Sequence, residues 1–266
     1  MSSTDMQTGD EGRKSEYRAP AAEKVLDILE FMASQPDSLT LTEISTGLGR
    51  SIQEIYRILL LLEKRGYLVR TRSDRIRLSL KLFELAHMHP PVNRLIERAL
   101  PIMRDLTVNS DQSCHLAVPD GLKVMIALQV DSPLPMRYSV ALGSRFPTME
   151  TSSGAVLVAW LPAPDRQALL ARIVEAGEAY GSLLEIETRI EAIRDCGYEM
   201  RESLAVDACT NISLPIRDHT SAVIAALTVP FLPQRQARFD RQTVLQRTIE
   251  AAGRISAALG APEQTL

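Results

Sequence analysis

Between positions 50 and 57 the chain places side chains whose chemistry suits the edges and phosphates of a DNA duplex. Gln53 carries an amide able to pair with adenine, and Ile52 carries methyl groups that fit the thymine methyl. Arg50 and Tyr56 supply donors for backbone phosphates, with Ser51 and Arg57 beside them. Two residues admit a second reading. Glu54 either accepts from cytosine or closes a capping box with Ser51. Arg57 either faces the duplex or pairs with a carboxylate of its own domain. A further basic group, Arg72, Arg75 and Arg77, is placed to reach a backbone or a minor groove.

Such side chains read DNA only from a rigid element, and the apolar periodicity supplies one. Leu41, Ile44 and Leu48 line a short helix, and Gly49-Arg50 forms a tight turn. A second helix is expected over residues 51–65, with Ile55, Ile58, Leu59 and Leu62 inward. Gly66 stands where a helix C′ residue belongs. Leu68, Arg70, the Ser73-Asp74 turn, Ile76, Leu78 and Leu80 then alternate as a hairpin. A supporting helix begins near Pro20, with Ala22, Val25, Leu26, Leu29 and Met32 as its stripe. Three helices and a basic hairpin make a winged helix-turn-helix, a device for the major groove.

The charge agrees. The whole chain carries a net charge of −3, yet from Arg50 to Lys81 nine Lys/Arg face three acidic residues. That predicts a confined phosphate contact rather than a generally basic surface. With 266 residues, 45% of them hydrophobic, the chain is long enough for two globular domains. We read 1–18 as a disordered tail, 19–82 as the DNA-binding domain, 83–108 as linker helices and 109–262 as an effector-binding domain. The apolar stripe Val92, Leu95, Ile96, Leu100, Met103 and Leu106 makes the linker helix a place for dimer packing and signal transmission.

The second domain mixes strands and helices. Strands are expected over 114–118, 123–130, 136–140, 211–216 and 222–229, and helices over 152–161, 165–176, 184–196 and 240–259. This order describes an α+β fold with an antiparallel sheet. Ser152, Ser153, Gly154 and Ala155 open an apolar helix. Small residues there leave N–H groups open to an anion, although Ser is also an ordinary cap. The polar run 207–213, including Cys209, Asn211 and Ser213, enters a strand, and Thr228 lies in its expected partner. These groups either line a pocket or reflect edge polarity.

Enzyme chemistry finds little support. GxSxG, HExxH, Walker and GxGxxG motifs are absent. Cys114 and His115 are strand neighbours on opposite faces, which suits no nucleophile–base pair. His115 is better read as a strand residue or ligand donor. Cys114, Cys196 and Cys209 have no metal spacing, and neither a metal nor a cofactor is expected. No apolar run of membrane length occurs, so a cytoplasmic protein without membrane contact is expected.

The span from Ala21 to Gly260 resembles the IclR-type transcriptional regulators. The first half carries the likeness in Val25-Leu26-Asp27-Ile28-Leu29, Leu41-Thr42-Glu43-Ile44, Ile55-Tyr56-Arg57-Ile58-Leu59 and Leu62-Glu63-Lys64-Arg65-Gly66-Tyr67-Leu68. The second carries it in His115-Leu116-Ala117-Val118, Leu142-Gly143-Ser144-Arg145-Phe146-Pro147, Ser153-Gly154-Ala155-Val156-Leu157, Ile212-Ser213-Leu214-Pro215-Ile216 and Ala225-Ala226-Leu227-Thr228. The resemblance implies a winged helix-turn-helix joined to a GAF-like effector domain, working as a homodimer or homotetramer on a double-stranded operator. It also implies a small-molecule effector, a carboxylate or aromatic acid, held by Ser153, Gly154, Ala155, Asn211, Ser213 and Thr228. Ile52 and Glu54 depart from the commonest recognition-helix pattern, as does Met149-Glu150-Thr151 near the pocket. A ligand-free DNA-binding or interaction module, and an enzyme with an appended helix-turn-helix, are the alternatives.

Overall fold

The computed structural model describes residues 19–87, 90–178, 181–235 and 237–262. The expected tail, 1–18, lies outside them. The chain divides into two compact units, Met1–Met88 and His89–Leu266.

The first unit is built from α1 (Pro20–Ala33), α2 (Leu41–Leu48), α3 (Ile52–Lys64) and the hairpin β1 (Leu68–Arg70) and β2 (Ile76–Leu78), followed by α4 (Lys81–His87). Ile28, Met32, Ile44, Ile55, Leu59, Leu62, Leu68 and Ile76 form its core. The stripe of α1 is rotated from the expected one. Ile28 and Met32 are buried with Val25 and Leu29 against them, whereas Leu26 and Ala22 face solvent. Leu80 is exposed and lies beyond the hairpin.

The second unit holds α5 (Pro90–Ser110), β3 (Cys114–Asp120), β4 (Lys123–Val130), β5 (Arg145–Pro147), a 3-10 turn (Thr148–Glu150) and α6 (Ser152–Ala159). It continues with α7 (Ala163–Glu175), α8 (Leu183–Cys196), β6 (Glu199–Glu202), β7 (Thr210–Arg217), β8 (Val223–Phe231) and α9 (Arg241–Ala258). The six strands form one antiparallel sheet in the order β5-β4-β3-β8-β7-β6. Alternation sends Leu116, Leu214 and Leu227 to one face, where α5 and α9 cover them. It sends Ala117, Ile126 and Ala226 to the other, where α6 lies with α8 behind it.

Two expectations need correction. Residues 136–140 form no strand, despite their alternation. Pro133 and Pro135 precede them, and the outer strand that pairs with β4 is β5, which meets its opposite end at Lys123–Met125. The helix read as a connector packs as a wall of the second unit. Leu95, Ala99, Ile102, Met103 and Leu106 of α5 are packed in that unit's core, so most of its stripe is used internally.

One ion pair braces the α6 face. Arg189 of α8 reaches Glu199 of β6 at 2.5 and 2.8 Å, with side-chain exposures of 13% and 8%. The same guanidinium donates to the carbonyls of Met149 at 2.7 Å and Thr151 at 3.1 Å, fixing the corner that launches α6. Arg189→Leu leaves Glu199 buried without its partner. We expect a loss of about 3–5 kcal/mol in denaturant unfolding, with much of it recovered when Glu199 is also made apolar.

Candidate functional site

The recognition element begins with two capping boxes. At α2, the Thr40 hydroxyl accepts from the Glu43 N–H, and the Glu43 carboxylate accepts from the Thr40 N–H at 2.6 Å. At α3, the Ser51 hydroxyl accepts from the Glu54 N–H while Glu54 accepts from the Ser51 N–H at 3.0 Å. Between them Gly49 adopts φ +61°, the left-handed turn that lets α3 follow α2 so closely.

Glu54 is occupied by this geometry. Its second oxygen accepts from Lys24 at 3.1 Å. The Ser51 backbone bond, then the Lys24 bond, hold its carboxyl at about 2 against an ordinary 4.5. Of the two readings of Glu54, the structure places it in the cap. Ile52, Gln53, Tyr56 and Arg57 are exposed on α3. Arg57 makes no ion pair with a described residue, so the internal pairing is not what the fold displays.

The basic residues separate into structural and free ones. Arg50 pairs with Asp27 of α1 at 2.5 Å. Arg75 donates to the Ser38 carbonyl at 2.9 and 2.6 Å and to Glu43 at 3.0 Å, bracing the loop before α2. These two are tied within the unit by ion pairs. Arg72 and Arg77 remain exposed near the wing and free of ion pairs among the described residues.

In the second unit, a cleft of about 160 Å³ opens beside the start of α6. Ser152, Ser153 and Thr151 come from the helix start. Thr228, Asn211 and His115 come from the sheet. Tyr138 and Val140 come from the loop after β4, Phe146 from β5, Glu150 from the 3-10 turn, and residues 203–205 from the loop after β6. Of the six expected effector residues, Ser153, Asn211 and Thr228 therefore line the cleft.

Gly154, Ala155 and Ser213 do not line it, each for a physical reason. A Cβ on Gly154 would lie 1.9 Å from the Thr148 carbonyl oxygen, so glycine is required for the helix to pack on that corner. Ala155 is fully buried in the α6 core cluster. Ser213 is fully buried, and its hydroxyl is bonded to that of Thr228 at 2.7 Å. The helix cap is Thr151, whose hydroxyl accepts from the Gly154 N–H at 3.0 Å, rather than a serine.

The sequence offered Ser213, Thr228 and His115 separately, but not the row they form with Gln129 and Glu199. Gln129, His115, Thr228, Ser213 and Glu199 are successive cross-strand partners on the α6 face. Burial holds His115 neutral, with its pKa lowered to about 4, and its Nδ1 is buried without a partner. A neutral imidazole with one uncommitted nitrogen at a cleft is a ready hydrogen-bonding group. Its alternating strand position is the only sequence signal. Among the described residues no group of three or more His, Cys, Asp or Glu is placed to hold a metal, and all three cysteines are free.

A winged helix-turn-helix and an antiparallel α+β unit with a polar cleft define a DNA-binding transcriptional regulator with an effector domain. Residues 21–72 match the IclR helix-turn-helix domain, and residues 91–257 match the bacterial transcriptional regulator IclR C-terminal domain. The chain belongs to the IclR family. It is 26% identical over 246 residues to the HTH-type transcriptional regulator XynR of Escherichia coli, covering 91% of this chain and 98% of that one. It is 26% identical over 241 residues to the HTH-type transcriptional regulator KdgR of Dickeya chrysanthemi, covering 89% and 79%. Among solved structures, an IclR homolog of Microbacterium hydrocarbonoxydans complexed with 4-hydroxybenzoate aligns with a TM-score of 0.69 at 23% identity, covering 90% of this chain and 98% of that one. The IclR of Thermotoga maritima aligns with a TM-score of 0.69 at 20% identity, with the same coverage.

The Glu54 cap carries a pH signature. Its contribution is complete above the unfolded value of 4.5 and is lost as pH falls toward about 2. The protection factors of the α3 amides against hydrogen exchange should fall through that window, and Glu54→Gln should flatten the fall. An unchanged profile in the variant would show that the cap does not hold the helix start.

Proposed function

We propose that this regulator docks α3 in the major groove of an operator and responds to a small organic acid bound at the start of α6. The observation that carries the reading is the exposed first turn of α3, where the cap consumes Glu54 and leaves Ile52, Gln53, Tyr56 and Arg57 to the duplex. Ile52 and Gln53 read bases, and Ser51, Tyr56 and Arg57 set the register on the backbone. Arg72 and Arg77 of the wing supply the sequence-independent attraction. Two copies place their recognition helices about one helical turn apart, roughly 34 Å, or a multiple of it, so the working form is a homodimer or a pair of dimers.

The cleft supports a carboxylate or aromatic acid as effector. None of its lining residues is Lys or Arg. An anion is therefore met by neutral donors: the first N–H groups of α6, the Ser153 hydroxyl, the Asn211 amide and His115. Ligand binding regulates by favouring one arrangement of the assembled protein over another. The protein acts in the cytoplasm, without a cofactor and without catalysis. No helix among the described residues is long and apolar enough to cross a membrane.

Three variants test this. Arg72→Ala should weaken binding to operator and random DNA alike and lower the log–log salt slope by about one. Gln53→Ala should lose roughly 1–3 kcal/mol of discrimination at one or two base pairs. Equal losses on cognate and random DNA would remove Gln53 from base reading. Calorimetric titration with a panel of carboxylic and aromatic acids should give saturable binding that Asn211→Ala weakens. A panel without any saturable member would favour the ligand-free module.

A further inference from the structure

The second unit contains a larger cavity, about 560 Å³, at the opposite end of α6 from the cleft. Its origin is topological. Strand β6 pairs with β7 only as far as Ser213, so the edge of β7 beyond that point has no neighbouring strand. Leu214, Pro215 and Arg217 of that edge face Ile249 and the small residues of α9, with Trp160 and Tyr198 closing the space.

Its lining is largely apolar, yet a cation in it lacks an answering anion. The Arg217 guanidinium lies 4.2 Å from the centroid of the Trp160 ring and donates to the Ser221 carbonyl at 3.1 Å. No carboxylate of a described residue pairs with it. The adjacent Asp218 is engaged by the Thr220 N–H and hydroxyl at 2.8 and 2.6 Å. Burial disfavours the charged form of Arg217 and lowers its pKa, as expected of a cation without a counter-charge. The Trp160 Nε1 is buried with no acceptor. An unanswered guanidinium at the end of an apolar cavity complements a carboxylate attached to an apolar body.

We propose that this cavity is a second ligand site, taking a small amphiphilic organic anion with its carboxylate on Arg217, beside the Trp160 ring, and its apolar part against Tyr198, Leu214 and Ile249. The site is separate from the cleft at the start of α6 and does not depend on the reading of that cleft.

The chain provides two reporters. Trp160 is its only tryptophan. Cys196 lines the cavity and is exposed, whereas Cys114 and Cys209 are buried. Titration of the full-length protein with cyclohexanecarboxylate should shift Trp160 emission saturably and slow alkylation of Cys196 by iodoacetamide. Cyclohexanecarboxamide, of the same shape without the charge, should do neither. Arg217→Gln should weaken the carboxylate response roughly tenfold or more, and Asn211→Ala, at the other cleft, should leave it unchanged. Equal responses to acid and amide, no response of either reporter, or wild-type affinity in Arg217→Gln would each overturn the proposal. So would a Trp160 shift that follows protein concentration alone, which marks a second copy as the occupant. Comparison of acid with amide on the unaltered protein decides the matter even where the Arg217 variant fails to fold.

Discussion

Every residue of α6 is buried, and that constraint organises the second unit. A helix buried from its first residue cannot leave its opening N–H groups to bulk water, so the surrounding fold must answer them or present them to a ligand. Thr151 answers one. Gly154 allows the helix to sit against the Thr148 carbonyl, where any side chain would collide. Arg189 ties the Met149 and Thr151 carbonyls of the same corner to Glu199 on the sheet edge. The cleft is what remains between this fixed helix start and the polar row of the sheet. Its polarity follows from the helix terminus and from His115, Thr228 and Asn211, without any cation.

The first unit solves a related problem by a different route. At α2 and α3 local capping boxes suffice, Thr40 with Glu43 and Ser51 with Glu54. The acidic residues of the caps then recruit basic partners. Arg75 goes to Glu43 and Lys24 to Glu54, while Asp27 takes Arg50. Part of the basic excess in this region thus holds the unit together. Fewer cations are left for phosphate than the sequence count implies, and Arg57, Arg72 and Arg77 are the free ones among the expected contacts.

Local patterns were the legible ones. The Ser51 cap, the inward face of α3, Gly66 at its end and the β3–β4 and β7–β8 hairpins all follow from residues close in sequence. The misreadings share the opposite property. Alternation in Met136-Arg137-Tyr138-Ser139-Val140 imitates a strand, but strand formation needs ladder partners, and the segment that pairs with the outer edge of β4 is β5, farther along the chain. Ala22 and Leu26 were assigned to the α1 stripe because helix phase is ambiguous when apolar residues crowd neighbouring positions. Strand β6 is short and charged, Glu199-Met200-Arg201-Glu202, and gives no apolar signal. The site was half legible. Ser153, Asn211 and Thr228 reach the cleft, and so does His115, read as a strand residue or ligand donor, whereas Tyr138, Phe146 and Glu150 join it through loops and sheet register that no local pattern records.

A ligand seated at the start of α6, between the helix terminus and the polar row, should perturb the amides around it. Backbone amide chemical shifts of isotope-labelled protein, followed during titration with the tightest-binding organic acid, should show saturable shifts of Ser152 and Ser153 together with those of His115, Asn211 and Thr228. Saturable binding that leaves these amides unmoved would contradict this placement.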